Sequence, residues 1–197
     1  MADDRYRLFA CVLYPDSMPG DFLEKIDSLH VKAFLSPLHD KDLSPDNGDL
    51  KKPHYHLFLM FDGKKSLQQV KDLINTVFSV HFVEVIQSCC SYARYLCHLD
   101  NGDVPWKRLY PIEEVKAFGG ADYLSAILTV QDMKKVTDDM FFFVRSNHID
   151  YWWIFVESCQ DHPEWLPFLN KAPGQFIQQY LRSKLQWRKD KAANSVF

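Results

Sequence analysis

Two histidines separated by one residue, His54 and His56, are the strongest candidates for chemistry in this chain. Alternate side chains of a β-strand point to the same face, with Cα atoms about 6.6–6.8 Å apart. Two imidazoles at this spacing can bind one metal ion. Histidine pairs also occur on exposed sheet faces without a metal, so the pair alone leaves both interpretations open.

A second polar segment, 39–42 (HDKD), precedes the pair and is followed by the turn sequence 44–48 (SPDNG). Its Asn-Gly step tolerates the positive φ of a tight turn. If the turn closes a hairpin, His39 and Asp42 return beside the histidine pair. Three imidazoles and one carboxylate predict a site for Mn²⁺ or Mg²⁺, and this donor set also admits Zn²⁺. The alternative is a solvated loop.

Two tyrosines, Tyr92 and Tyr95, lie three residues apart in the predicted helix 88–98 and therefore share one helix face. A tyrosine can attack phosphorus and form a covalent phosphotyrosine, which suits a metal that polarises a phosphoryl oxygen. The spacing does not decide which tyrosine reacts. Candidate DNA-binding residues in these segments are Lys51, Lys52, Arg94 and His98.

The elements that must position these residues alternate between strand and helix. Hydrophobic patterning predicts strands at 6–14, 31–38, 54–61 and 80–86, and helices at 21–29, 66–78 and 88–98. This β-α-β-β-α-β order predicts an α+β fold, with a ferredoxin-like or RRM-like antiparallel sheet. We expect helices on one face of the sheet and a site on the other, open face.

The chain changes character after residue 112, where only helical periodicity is found. Helices are predicted at 122–136, 138–146, 149–159 and 173–189. Gly119-Gly120 predicts a boundary between domain 1–118 and an all-α domain 119–197. The aromatic runs 141–143 and 151–153 indicate helical core rather than a base-stacking platform. The basic residues within 182–191 form either a solvated face or a second DNA contact.

Composition excludes several classes of protein. A net charge of −3 excludes a histone-like coat protein, which needs a global positive field. Neither a secretory signal nor a membrane-spanning segment is expected. Five cysteines without C-x-x-C spacing predict reduced thiols in a cytoplasmic protein, not a disulfide framework.

The motifs together resemble a known family. His54-Tyr55-His56 resembles the His-hydrophobe-His motif of HUH endonucleases. With the HDKD segment and Arg94-Tyr95-Leu96-Cys97-His98, it resembles the single-tyrosine replication initiators of small rolling-circle plasmids, over roughly residues 5–110. The resemblance implies Tyr95 as nucleophile, and a metal held by His39, Asp42, His54 and His56.

The resemblance also implies a function and partners. We expect metal-dependent nicking and rejoining of one strand at a plasmid origin, which leaves a 3′-OH primer. The expected partners are origin DNA, as duplex repeats and a single-stranded hairpin, host helicase and polymerase, and further copies of the chain, with a hexameric ring as one form. The bacterial cytoplasm is the expected location. Alternatives are a plasmid-mobilisation relaxase or transposase of the HUH class, and a non-catalytic origin-binding regulator.

Overall fold

The structure is a computed structural model and describes residues 4–194. The chain forms two compact units, one ending at Ile127 and the other beginning at Leu128. The roles predicted for domains 1–118 and 119–197 stay predictions. Across residues 4–194, no helix combines the length and hydropathy needed to span a membrane.

The first unit contains an antiparallel sheet, which confirms the predicted α+β class. Within residues 4–194 it has five strands in the order β4-β1-β3-β2-β5. The first four strands follow the ferredoxin-like order, because β1 pairs with both β3 and β4 while β2 pairs with β3. The strands are β1 (Arg5–Leu13), β2 (Lys32–Leu35), β3 (Tyr55–Ser66), β4 (Glu84–Val85) and β5 (Lys116–Phe118).

Helices cover both faces of this sheet. Helices α1 (Phe22–Ser28) and α2 (Leu67–Phe78) contribute to a core with Leu57 and other side chains of one sheet face. On the opposite face, α3 (Cys89–Tyr95) and α4 (Tyr123–Ala126) contribute to a core with Phe34 and Phe58. The expectation of an open second face is therefore wrong. Because side chains alternate along β3, His56 lies on the same face as Phe58 and α3.

Local sequence signals explain where the two central helices begin. Ser66 caps α2, and its side chain and that of Gln69 form a reciprocal capping box. Ser88 caps α3 by accepting a hydrogen bond from the backbone N–H of Ser91. Tyr95 is the last residue of α3, and His98 beyond it has φ 55°, which is uncommon for a residue with a side chain.

The region after residue 112 departs from the sequence prediction in two places. Strand β5 was not predicted, because its three residues are too short for a period-2 pattern and form a strand by pairing with β2. The predicted helix 122–136 is wrong, since α4 ends at Ala126 and α5 (Val130–Ser146) begins after a capping box at Thr129. Helix α5 also includes the separately predicted helix 138–146.

The second unit is helical, as predicted. Besides α5 it contains α6 (Trp152–Ser158), a 3₁₀ helix at Pro163–Phe168 and α7 (Ala172–Asn194). Its buried core includes Met140, Phe155 and Leu181.

In this unit some side chains of the two aromatic runs are buried and others are exposed, and two basic residues of α7 form ion pairs. Phe141, Phe143 and Trp152 pack against the core, whereas Phe142 and Trp153 are 73% and 60% exposed. Lys184 and Arg188 of α7 both pair with Asp150. Part of the basic surface of α7 is therefore engaged within its own unit.

Candidate active site

The predicted hairpin brings His39 beside the histidine pair. His39 and His54 form an antiparallel bridge with backbone N···O distances of 2.9 and 3.3 Å. The His39 ring lies 5.4 Å from that of His54 and 4.9 Å from that of His56, between centroids. One ring nitrogen from each of the three side chains lies within 4.8 Å of the others. We call these residues the three-histidine group.

The hydrogen bonds of this group leave one nitrogen of each ring available. His39 Nε2 donates to the Leu96 carbonyl and His54 Nδ1 to the Lys52 carbonyl, both at 2.9 Å. A carbonyl oxygen only accepts, so these nitrogens carry the proton and the opposite nitrogens are left as ligands. Within residues 4–194, His39 Nδ1 and His56 Nε2 are buried without a hydrogen-bond partner. The donor set therefore fits a metal ion.

Burial also keeps the imidazoles of His39 and His56 neutral, which is the form that binds metals. Desolvation lowers the pKa of His39 to about 4, although its hydrogen bond to Leu96 opposes the shift. Desolvation also lowers the pKa of His56 well below its usual value, and neighbouring histidines contribute. At neutral pH both rings are uncharged.

Asp42 lies beside the three-histidine group but belongs to a second, overlapping group. Its ligand oxygen falls within 4.8 Å of nitrogens of His39 and His98. Asp42 Oδ1 accepts hydrogen bonds from Arg108 N at 3.2 Å and the Tyr110 hydroxyl at 3.4 Å. The four predicted ligands thus divide into two buried groups that share His39.

The two tyrosines have opposite electrostatic partners. The Tyr95 hydroxyl accepts a hydrogen bond from Lys107 Nζ at 3.1 Å, and its ring lies 5.2 Å from that of His56. The Tyr92 hydroxyl donates to Glu84 Oε1 at 3.2 Å. Burial and the Glu84 carboxylate raise the pKa of Tyr92, which makes its phenolate difficult to form. This contrast favours Tyr95 as the nucleophile.

Comparisons with known proteins decide the family. The family described as "Plasmid replication protein, origin binding domain" matches residues 1–123. Replication protein RepB of Lactiplantibacillus plantarum is 32% identical over 194 residues, which cover 96% of this chain and 85% of the relative. The replication protein of Staphylococcus aureus is 30% identical over 188 residues, which cover 92% and 90%. The chain belongs to the plasmid replication protein family.

The chain is accordingly a plasmid replication initiator with an origin-binding domain, as its motifs predicted. The family is consistent with the HUH class. The matched range contains every predicted metal, tyrosine and DNA-binding residue, so all of the candidate chemistry lies within the origin-binding domain.

Lys107 is a functional candidate that the sequence did not indicate. Besides Tyr95, its Nζ lies 3.1 Å from His98 Nε2 and 3.5 Å from Asp42 Oδ2. It follows Tyr95 by twelve residues on a segment without regular structure, so no periodicity connects the two. Hydrogen bonds from this segment hold it to the site: Arg108 N donates to Asp42, and Tyr110 N donates to the Cys97 carbonyl.

The predicted DNA-binding residues have different surroundings. Arg94 forms a bidentate ion pair with Asp100 and donates to the Ile127 carbonyl. Lys52 pairs with Asp16 at 3.2 Å. His98 is 1% exposed and its Nδ1 donates to the Arg108 carbonyl at 2.7 Å. Contacts of these residues with DNA stay predictions.

Two grooves meet at His56 and Tyr95. The first, the lysine groove, is a cavity of about 320 Å³ lined also by Val12, Tyr14, Lys51, Lys52, His54 and Lys107. The second, the Glu84 groove, is a cavity of about 460 Å³ lined also by residues 84–88, Ser91 and Tyr92. A strand that passes through both grooves would cross the site at Tyr95.

Proposed function

We propose that this initiator nicks and rejoins one strand of its plasmid origin by tyrosine transesterification, as HUH endonucleases do. The observation that supports the proposal is the position of Tyr95, whose ring lies 5.2 Å from that of His56 and whose hydroxyl accepts a hydrogen bond from Lys107 Nζ. The substrate is the origin strand where a hairpin presents it single-stranded.

In the proposed reaction, Tyr95 Oη attacks the scissile phosphorus and loses its proton to solvent. The bond from phosphorus to the 3′ oxygen breaks, and this oxygen takes up a proton to become the 3′-OH primer. The 5′ phosphate stays on Tyr95. One phosphodiester replaces another, so attack by a 3′-OH on the phosphotyrosine can reverse the reaction and rejoin the strand.

The side chains around Tyr95 have separate roles in this proposal. The three-histidine group would hold a divalent ion, with Asp42 beside it, and a bound ion supplies a Lewis acid for the phosphoryl oxygen. Mn²⁺ and Mg²⁺ suit the mixed nitrogen and oxygen donors, and Zn²⁺ fits on ligand type. The Lys107 ammonium donates to the tyrosine oxygen and stabilises negative charge there during attack.

The wider partners form part of the same proposal. Duplex repeats of the origin would position the protein. In the bacterial cytoplasm, host helicase would separate the strands and host polymerase would extend the 3′-OH. The helical unit would join copies of the chain, with a hexameric ring as one form. Its exposed aromatic side chains Phe142, Trp153 and Trp187 supply apolar surface for such contacts.

The test is nicking of a supercoiled plasmid that carries the origin, in Mn²⁺ and in EDTA. We expect Tyr95→Phe to abolish nicking and Tyr151→Phe, an exposed tyrosine of the helical unit, to retain it. On a denaturing gel, label on the 5′-phosphate side of the nick should migrate with protein. Full activity of Tyr95→Phe would refute the nucleophile, and full activity in EDTA would refute the metal. A wild-type protein that binds but never nicks the origin would be a non-catalytic regulator.

A further inference from the structure

The grooves on the two sides of Tyr95 carry opposite charge. Lys51, Lys52 and Lys107 line the lysine groove, where Lys52 also lies over the Tyr14 ring at 5.0 Å. Among the described residues that line the Glu84 groove, none is lysine or arginine, and Glu84 contributes a carboxylate. The two grooves therefore suit different parts of a nucleotide.

Phosphate groups favour the lysine groove and are disfavoured in the other. Each phosphodiester carries a negative charge that ammonium groups attract and a carboxylate repels. A single strand crossing the site would place its backbone along Lys51 and Lys52. The part of a nucleotide that the Glu84 groove can accept is the uncharged base.

The lining of the Glu84 groove matches the chemistry of a base. Ile86 and the ring of Tyr92 offer apolar surface for its faces, and Gln87 and Ser91 offer polar groups for its edge. The Glu84 carboxylate accepts one hydrogen bond from Tyr92, but its two oxygens have lone pairs for further donors. A carboxylate selects for N–H groups, as in its pairing with the amino group of cytosine.

We propose that the Glu84 groove binds the base adjacent to the scissile phosphate and selects a base with an exocyclic amino group. Cytosine, adenine and guanine offer such a donor to Glu84, whereas thymine and uracil place a carbonyl oxygen at the corresponding position of the pyrimidine ring. Glu84 is then a specificity residue of the origin strand. The proposal rests on the proposed function only for the position of the scissile phosphate at Tyr95.

The test compares two oligonucleotides whose bases differ at this donor: uracil has a carbonyl oxygen in place of the amino group of cytosine, and its ring N3 is an N–H donor instead of an acceptor. Fluorescence anisotropy of the full chain with single-stranded dC9 and dU9, in EDTA at pH 7.5, measures binding without cleavage chemistry. We expect dC9 to bind about tenfold more tightly than dU9, within the range of one specific hydrogen-bonded base contact. Glu84→Ala should bring the two affinities within about twofold, and Glu84→Gln, which keeps the side-chain shape, should also reduce the ratio.

Two matched variants separate base selection from charge and folding. Lys52→Ala should weaken binding of both oligonucleotides equally and leave their ratio unchanged. Glu24→Ala removes an exposed carboxylate on α1, away from both grooves, and should change neither affinity. Equal binding of dC9 and dU9 by the wild-type chain, or an unchanged ratio in Glu84→Ala, would overturn the proposal. Because nothing is cleaved in this assay, its outcome is independent of whether Tyr95 is the nucleophile.

Discussion

Three kinds of side chain make up the candidate site at Tyr95: imidazoles, a buried carboxylate and one ammonium group. The imidazoles of His39 and His56 are neutral because burial disfavours their charged forms. Asp42 keeps a cation nearby, since Lys107 Nζ lies 3.5 Å from its Oδ2. The Lys107 ammonium therefore contacts both the Tyr95 hydroxyl and the Asp42 carboxylate.

Replacing Lys107 tests its contact with the tyrosine oxygen. Lys107→Ala should lower the nicking rate constant at saturating Mn²⁺ roughly 100-fold, as expected when one donor to a developing negative charge is removed. KM for a single-stranded origin oligonucleotide should change much less. Lys65→Ala, an exposed lysine at the end of β3, is the matched control and should retain full activity. An unchanged rate constant in Lys107→Ala would remove Lys107 from the mechanism.

Burial of neutral His39 also predicts how stability depends on pH. The folded pKa is about 4 and the reference value is 6.5, so between these values the unfolded chain binds the proton and the folded chain does not. The free energy of unfolding should then fall as pH decreases, by on the order of 2 kcal/mol from pH 7 to pH 5 for this residue. Urea unfolding in EDTA measures the change. His39→Gln should reduce it, whereas exposed His81→Gln should not; a flat profile for the wild-type chain would contradict the prediction.

At the scale of elements, the sequence predicted those parts of the site that local patterns encode. The H-x-H pair and the Asn-Gly turn are short-range signals, and both appear in the structure. Strand β5 and the position of Lys107 depend on contacts with distant segments, which no local period describes. The division of the four predicted ligands into two groups likewise depends on how the 104–110 segment packs against Asp42.

Strand β5 is followed by a glycine that the fold requires. Gly119 has φ 61°, and a Cβ atom there would lie 2.6 Å from the Val31 carbonyl oxygen. Gly120 has φ 72° with open space around it, so it is a matched control for the backbone conformation alone. Gly119→Ala should lower the free energy of unfolding by about 3 kcal/mol and Gly120→Ala by about 1 kcal/mol. Equal effects in urea unfolding would show that the close approach to Val31 is not limiting.

At the scale of the whole molecule, near-neutral charge coexists with a local basic site. The net charge of −3 provides no long-range attraction for DNA, whereas Lys51, Lys52 and Lys107 line a single groove beside Tyr95. Such an arrangement disfavours indiscriminate binding to phosphate, because few phosphates can be neutralised at once. It suits an initiator that must act at one origin.

Each unit has its own hydrophobic core. The two clusters of the origin-binding unit contain residues up to Ile127, and the cluster of the helical unit contains residues from Leu128 onward. A fragment of residues 1–127 should therefore fold without the helical unit. We expect cooperative urea unfolding, and binding of dC9 within about threefold of the full chain.

The sequence-predicted boundary at residue 118 provides a sharp comparison, because fragment 1–118 lacks Tyr123. That side chain is 7% exposed, packs against Phe34 and donates to the Ala93 carbonyl at 2.9 Å, directly on the tyrosine helix α3. Loss of a buried aromatic side chain costs about 3–5 kcal/mol. Fragment 1–118 should accordingly be less stable than 1–127 by at least this amount, with weaker binding of dC9 as α3 loosens. Equal stability of the two fragments would contradict this prediction and place the boundary of the folded domain at Gly119-Gly120 instead of at Ile127.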